Sequence, residues 1–164
     1  MRICIYGAGA IGGYLGAMLA STAAEVSLIA RGPHLQAMQS SGLKLITAEG
    51  ESLHRLNCTD KPESLPAQDF VIVTLKAHSV PKIVPQIAAL LAPGGAVVTA
   101  VNGIPWWYFY CLEGPHENKR LRSVDPDDQQ WQQLQPQRAS PAAASWRITA
   151  PPRAAVASGS SPVQ

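Results

Sequence analysis

The sequence is poor in cysteine and in charge, and these shortages argue against several classes of protein. It has three cysteines in 164 residues, an odd number with no C-x-x-C pair, so we predict neither a disulfide framework nor a zinc site. Charged residues make up 15% of the chain, the net charge is +2, and no basic stripe is interleaved with aromatics. Nucleic-acid binding is therefore not expected.

Long apolar runs are also lacking. The apolar N-terminal stretch is broken by glycines and followed by Glu25 and Arg31, which argues against a signal peptide and against a membrane span. The thiols and the absence of these signals lead us to expect a protein of the reducing cytoplasm. The length has room for one domain.

What the sequence does contain is a strand–turn–helix–strand pattern at its start. An apolar run, Arg2–Tyr6, is followed by a glycine motif, a helical stretch to about Thr22 and a second apolar run over 25–30. A G-x-G-x-x-G motif between a strand and a helix is typical of a dinucleotide-binding βαβ unit. We therefore predict that the cofactor-binding backbone comprises Gly7, Ala8, Gly9, Ala10, Ile11 and Gly12.

The three motif glycines have different roles in such a unit. Gly7 permits the tight turn, Gly9 lets the backbone approach a pyrophosphate, and Gly12 lets the helix pack closely on the strand. The first helical turn then offers N–H groups and the positive end of its dipole to phosphates. Gly13 and Gly16 each cost about 1 kcal/mol relative to alanine inside a helix, which predicts close approach of the sheet or of a ligand. The alternative is a glycine-rich turn used only for packing.

The residue after the second strand indicates which dinucleotide is bound. NAD-binding versions place an acidic residue at the end of that strand to hold the ribose 2′-hydroxyl. Here Glu25 stands at the start of the strand, and the strand-end position is Arg31. A guanidinium suits a 2′-phosphate through charge-assisted hydrogen bonds, so we predict NADP(H) over NAD(H). The alternative is a solvated surface arginine.

The rest of the chain alternates strands and helices. The strongest strand signal is the continuous apolar run over 69–75, typical of a parallel sheet covered on both faces. Strands alternating with helices and glycine or proline stops predict an α/β fold with a doubly wound, mostly parallel sheet of the Rossmann type. The other predicted elements are a helix over 34–41, a hairpin or two flanking strands over 43–47 and 52–58 around a Glu49-Gly50 turn, a connection over 61–68, a helix over 79–92 capped by Ser79 with Pro85 kinking or delaying it, a Pro93-Gly94-Gly95 stop, and a strand over 96–101.

Two polar residues follow predicted strands, where ligands of such sheets bind. Lys76 can donate to a carboxylate or carbonyl, and Asn102 can both donate and accept. A solvent-facing loop for Lys76 and an ordinary Asn-Gly turn for Asn102 are the alternatives. We interpret His78 as a loop or capping residue rather than a general acid. The aromatic block 106–110 is at least as compatible with covering a core or a domain interface as with contacting a ligand.

With these residues in place, the chain resembles the ketopantoate reductase (2-dehydropantoate 2-reductase) family over about residues 1–137. The resemblance rests on four segments in order, Gly7-Ala8-Gly9-Ala10-Ile11-Gly12-Gly13-Tyr14, Ala30-Arg31-Gly32, Thr74-Leu75-Lys76-Ala77-His78 and Val101-Asn102-Gly103-Ile104-Pro105-Trp106-Trp107. It implies NADPH-dependent reduction of a 2-keto acid, ketopantoate to pantoate, on the route to pantothenate and coenzyme A. It also implies that Arg31 holds the adenosine 2′-phosphate and that Lys76 and Asn102, the catalytic candidates, lie beside the nicotinamide and substrate.

The resemblance ends before the C-terminus. The family continues into a helical domain that supplies a catalytic lysine and an acidic substrate-binding residue, and neither is found here. Residues 138–164 are rich in Ala, Ser, Pro and Arg and contain no Asp, Glu or Lys, so we predict a dinucleotide-binding domain over 1–137 and a disordered low-complexity tail over 138–164. One hypothesis is that Ala139 onward is an out-of-frame translation, and reading the other two frames would test it.

These expectations make the chain the cofactor half of a ketopantoate reductase-like enzyme, impaired on its own. An uncovered aromatic block would favour self-association. Two alternatives stay open: a non-catalytic NADP(H)-binding module, and a reductase of another 2-keto acid on the same scaffold.

Overall fold

A computed structural model describes residues 1–139, and its centre is a five-stranded parallel sheet with strand order β5-β2-β1-β6-β7. The strands are β1 Arg2–Tyr6, β2 Glu25–Ile29, β3 Leu43–Thr47, β4 Gly50–His54, β5 Asn57–Thr59, β6 Gln68–Val73 and β7 Leu91–Thr99. The helices are α1 Ala10–Ala20, α2 Gly32–Ser41, α3 Val84–Leu90 and α4 Pro136–Ala139. Shorter turns of 3-10 helix cover Pro62–Ser64, Ala77–Ser79 and Pro81–Ile83, and a π-helical turn covers Gln130–Leu134. The predicted α/β fold with a parallel, Rossmann-type sheet is confirmed.

The sheet is buried on both faces, as its apolar strands predict. Side chains of β1 alternate between the faces: Ile5 packs with Leu28 on the side of α1 and α2, and Cys4 packs with Val71 and Ile87 on the side of α3. Each of these five side chains is fully buried. The period-2 alternation of a strand thus divides the core into two layers.

The prediction of a helix over 79–92 is wrong for the first half of that range. Ala77–Ser79 and Pro81–Ile83 form 3-10 turns, and the helix begins only at Val84, with no cap from Ser79. Proline lacks an N–H and fits only the first turn of a helix, so Pro85 delays the helix start as predicted.

The expectation that Pro93-Gly94-Gly95 ends the helix is also wrong. The helix ends earlier, at Leu90, and these three residues lie inside β7. Gln68 pairs with Leu91, but the register then jumps so that Phe70 pairs with Ala96. The extra residues on β7 form an irregular bulge, a place where strands accept proline and glycine. The strand predicted over 96–101 therefore starts earlier, and it ends at Thr99.

The hairpin is present, but it is shorter than predicted. β3 and β4 pair antiparallel with Thr47 opposite Gly50, so the turn residues are 48 and 49. The second predicted strand divides after His54, and Asn57–Thr59 joins the main sheet beside β2. Of the two readings, the hairpin holds for 43–54 and the flanking strand holds for β5.

Arg138 and Ala139, which the sequence reading placed in the tail, belong to α4. The Arg138 guanidinium donates to the carbonyl oxygens of Gly95 at 3.0 Å and Ala92 at 2.9 Å, and Ala139 is buried. These contacts satisfy carbonyls at the β7 bulge. The remainder of the predicted tail, residues 140–164, lies outside the described residues.

Candidate functional site

The carboxyl ends of the main strands meet at one edge of the sheet. Tyr6 pairs with Ile29 on β2 and with Val73 on β6, and Val73 in turn pairs with Thr99 on β7. Backbone hydrogen bonds continue just past these ends, from Gly7 N to Ile29 O at 3.1 Å and from Ala100 N to Val73 O at 2.9 Å. The predicted site residues after these strands therefore share this edge, where ligands of open α/β sheets bind.

The glycine turn between β1 and α1 has the close contacts that its motif predicts. Gly7 has φ +109°, which disfavours any side chain, and a Cβ there would stand 2.6 Å from a Leu75 methyl. A Cβ on Gly12 would stand 2.3 Å from the Gly7 carbonyl oxygen. These two glycines are thus required by the packing of the protein itself.

Gly9 is different, because the protein gives no packing reason for its missing side chain. Its φ is −75°, an ordinary value, and a Cβ there would meet nothing within 4 Å. The open space lies directly before the first turn of α1. A bare backbone facing open space at a helix N-terminus fits the close approach of a diphosphate.

The start of α1 can bind an anion through its backbone. The first helical hydrogen bond recorded at this end runs from Gly13 N to Gly9 O at 2.7 Å, so the preceding N–H groups, on Ala10, Ile11 and Gly12, lack an intrahelical acceptor. No acidic residue lies in this first turn. The donors and the positive end of the helix dipole therefore face a negative ligand without competition from a carboxylate of the turn.

Arg31 lies two residues past the end of β2, at the N-cap of α2, in an extended conformation. It is exposed, and none of the three ion pairs found within residues 1–139 involves it. The guanidinium is therefore available to a ligand at the same edge as the glycine turn.

Lys76 and Asn102 are both exposed at this edge, on the β6 and β7 side. Lys76 caps the 3-10 turn Ala77–Ser79, and Ala77 and Asn102 line one small cavity of about 30 Å³. The structure thus brings together the segments that follow β6 and β7. His78 is exposed within the 3-10 turn.

The aromatic block packs largely against the segment that precedes α4. Trp106 is 3% exposed and meets Trp131 edge to face, with ring centroids 6.1 Å apart. The Tyr110 ring also meets Trp131 edge to face, with ring centroids 6.0 Å apart. The Arg120 guanidinium carbon lies 5.2 Å from the centroid of the Trp131 ring. The block therefore covers a core, one of the two roles left open, while Tyr108 remains 44% exposed.

Two polar side chains that the sequence reading did not single out hold the glycine turn. Thr74 Oγ1 donates to the Gly7 carbonyl oxygen at 2.6 Å, and His34 Nε2 lies 2.6 Å from the Ala8 carbonyl oxygen. Thr74 lies in a segment that carries the family resemblance, and that was its only signal. His34 is separated from Ala8 by 26 residues, so no local pattern could reveal the contact.

A groove of about 380 Å³ opens beside the turn. Its walls come from α1, the first turn of α2 and strand β3, and they are Gly9, Ala10, Gly13, Tyr14, His34, Leu43, Lys44 and Leu45. Lys44 forms an ion pair with Glu51 across the hairpin, with Nζ 2.7 Å from the carboxylate. The groove joins the glycine turn to the helix that begins beside Arg31.

The ionisable groups buried near the turn do not titrate near neutral pH. Burial raises the pKa of the Cys4 thiol to about 12. Burial is also the main cause that raises the pKa of the Tyr6 hydroxyl, which donates to the Gln86 side-chain oxygen. Both groups stay protonated at pH 7 and belong to the core. Within residues 1–139, no group of His, Cys, Asp and Glu side chains is placed to bind a metal ion. The helices of the same residues are all too short to span a lipid bilayer.

Sequence comparisons find relatives over most of the described residues. The ketopantoate reductase PanE/ApbA family matches residues 3–105. The 2-dehydropantoate 2-reductase of Mesorhizobium japonicum is 50% identical over 139 residues, which are 84% of this chain and 43% of that relative. The 2-dehydropantoate 2-reductase of Pyrococcus abyssi is 34% identical over 104 residues, 63% of this chain and 34% of the relative. The chain thus spans less than half the length of these relatives.

Solved structures show the same likeness. A protein of Ralstonia solanacearum MolK2 assigned as a ketopantoate reductase superposes with a TM-score of 0.77 at 41% identity, over 84% of this chain and 43% of that one. D-mandelate dehydrogenase in its ternary complex with NADH and anilino(oxo)acetate superposes with a TM-score of 0.59 at 31% identity, over 64% of this chain and 34% of that one. Because the family match runs through the glycine turn, Arg31, Lys76 and Asn102, this chain belongs to the ketopantoate reductase (PanE/ApbA) family.

Proposed function

We propose that this chain carries the NADP(H)-binding part of a 2-dehydropantoate 2-reductase, which reduces ketopantoate to pantoate on the route to pantothenate and coenzyme A in the cytoplasm. The observation that carries the proposal is the open backbone of Gly9 before the free N–H groups of α1. The names of the relatives from Mesorhizobium and Pyrococcus support the reaction. We expect this chain on its own to reduce ketopantoate slowly.

The choice of NADP(H) rests on Arg31. A phosphate on the adenosine ribose carries negative charge and accepts the bidentate hydrogen bonds that a guanidinium donates. Arg31 stands free of ion pairs within the described part of the chain and beside the glycine turn. The structural neighbour D-mandelate dehydrogenase binds NADH, so a direct comparison of the two coenzymes is the first measurement to make.

Lys76 and Asn102 are proposed to serve the substrate side. When bound, NADPH supplies the hydride for the keto carbon. The Lys76 ammonium can bind the substrate carboxylate or stabilise the negative charge that develops on the keto oxygen. The Asn102 amide can donate to the substrate and accept from the coenzyme amide, which orients both.

Fluorescence titrations with NADPH and NADH test the coenzyme assignment. We expect tighter binding of NADPH, and we expect Arg31→Ala to weaken NADPH about tenfold or more while NADH changes little, since a charge-assisted pair contributes about 1.5–3 kcal/mol. Arg55→Ala is the matched control, because Arg55 is exposed and precedes β5, at the amino ends of the strands and opposite to the glycine turn. Equal or stronger NADH binding by the unaltered protein would remove the NADP(H) assignment.

Single-turnover reduction tests the reaction. The protein is mixed with NADPH and either ketopantoate or another 2-keto acid, and the loss of NADPH absorbance is followed. We expect ketopantoate to react fastest. We also expect Lys76→Ala and Asn102→Ala to slow the reduction of ketopantoate by a larger factor than they raise the Kd of NADPH. Tight NADPH binding with no turnover of any keto acid would favour the non-catalytic binding module.

Sedimentation in the same buffer tests the predicted self-association through exposed aromatic side chains such as Tyr108.

A further inference from the structure

The side chain of His34 bridges α2 and the glycine turn. Its Nε2 lies 2.6 Å from the Ala8 carbonyl oxygen. A carbonyl oxygen only accepts, so Nε2 must carry the hydrogen in this contact. His34 is in the first turn of α2, three residues after Arg31. One side chain thus connects the segment that carries Arg31 to the segment that precedes α1.

The carbonyl that His34 binds belongs to the peptide group between Ala8 and Gly9. The N–H of this same peptide group donates to Gly7 O at 2.7 Å. Because a peptide group is planar, contacts at its oxygen and at its N–H fix the orientation of the whole plane. The plane leads directly into Gly9, the N-cap of α1.

The other groups of the turn are fixed by the sheet. Gly7 N and Ala8 N both donate to Ile29 O, at 3.1 and 2.9 Å, and Thr74 Oγ1 donates to Gly7 O at 2.6 Å. The Ala8 carbonyl oxygen takes part in none of these hydrogen bonds, and its partner among residues 1–139 is His34. The imidazole therefore supplies a restraint that the strands do not.

We propose that His34 is a positioning residue that holds the Ala8–Gly9 peptide in the orientation that binds a diphosphate. The inference rests on the proposed function, in which this turn binds the dinucleotide. Because the diphosphate is common to NADPH and NADH, His34 acts on the affinity for both coenzymes. Arg31, in contrast, acts on NADPH alone.

Three variants test this role by coenzyme titration. His34→Leu removes the donor, and His34→Gln keeps an N–H that can reach the same carbonyl. We expect His34→Leu to raise the Kd of NADPH and of NADH by the same factor, about 5- to 30-fold, as expected for a hydrogen bond lost with its acceptor left unpaired. His34→Gln should recover most of this loss. His116→Leu is the control, because His116 is exposed in a loop beyond β7.

Hydrogen–deuterium exchange without coenzyme gives a second readout that does not depend on the proposed function. We expect faster amide exchange in peptides covering residues 8–13 of His34→Leu, and normal exchange in His116→Leu. Unchanged exchange together with unchanged Kd values would overturn the inference. A loss confined to NADPH would also overturn it, since it would indicate direct contact with the 2′-phosphate. If the unaltered protein binds neither coenzyme, the proposed function fails, and the exchange data alone then decide whether His34 holds the turn.

Discussion

Gly12 packs so closely on Gly7 that a Cβ at position 12 would stand 2.3 Å from the Gly7 carbonyl oxygen. The obstacle is backbone and cannot move aside as a side chain could. We therefore expect Gly12→Ala to force α1 away from β1 and to lower the free energy of unfolding by about 1–3 kcal/mol, a typical cost of overpacking. Urea denaturation measures the change.

Gly13→Ala is the matched control for that substitution. A Cβ at Gly13 would lie 3.4 Å from a Leu43 methyl, an ordinary contact, and alanine is favoured over glycine inside a helix by about 1 kcal/mol. Gly13→Ala should thus leave stability equal or higher. Equal destabilisation by both substitutions would contradict the close contact between Gly12 and Gly7.

Gly9→Ala separates binding from folding. The backbone at Gly9 has φ −75° and a new Cβ would meet no protein atom within 4 Å, so the variant should fold with unchanged or slightly higher stability. The methyl group would occupy the space proposed for the diphosphate. We expect the Kd of NADPH to rise at least about tenfold, measured by fluorescence titration. Unchanged affinity in a normally folded Gly9→Ala protein would mean that the coenzyme does not cross this turn.

Arg138→Ala tests the attachment of α4. The substitution removes two hydrogen bonds, to Gly95 O and Ala92 O, and leaves these carbonyls without their charged donor. We expect a loss of about 1–3 kcal/mol in the free energy of unfolding, measured by urea denaturation. Arg122→Ala, at an exposed position, should have little effect. If both variants unfold alike, α4 does not stabilise the domain.

The buried thiol of Cys4 predicts a loss of stability at high pH. Its pKa is raised to about 12 from an ordinary value near 9. Between these two values the unfolded chain releases a proton that the folded chain keeps, so the free energy of unfolding falls as pH rises, by at most about 1.4 kcal/mol per pH unit. Denaturation midpoints from pH 8 to 11 should decline more steeply in the unaltered protein than in Cys4→Ala. Parallel declines would show that the thiol does not contribute.

The sequence predicted the βαβ start well because its signals are local. The run of apolar residues in β1, the glycines of the turn and Arg31 after β2 lie in one short stretch, and each residue type has a direct backbone or charge requirement. The same holds for the edge of the sheet, where the ends of β6 and β7 place Lys76 and Asn102.

The features that sequence reasoning missed depend on partners distant in the chain. Pro93-Gly94-Gly95 would usually end an element, but β7 continues through them because Gln68 and Arg138 supply pairing and hydrogen bonds from far along the chain. The contact of His34 with Ala8 spans 26 residues. Local propensity cannot indicate such contacts, because they form only once the sheet brings the segments together.

In the roles proposed above, Arg31 selects the coenzyme and His34 orients the turn that binds it, so the start of α2 bears on any attempt to redesign coenzyme preference. Arg31 at its N-cap and His34 within it are only three positions apart, so grafting this loop from an NADH-dependent protein would exchange both residues together. Such a chimera would be expected to lose general dinucleotide affinity along with its selectivity. Point replacement at position 31, with the imidazole retained, is the safer engineering route.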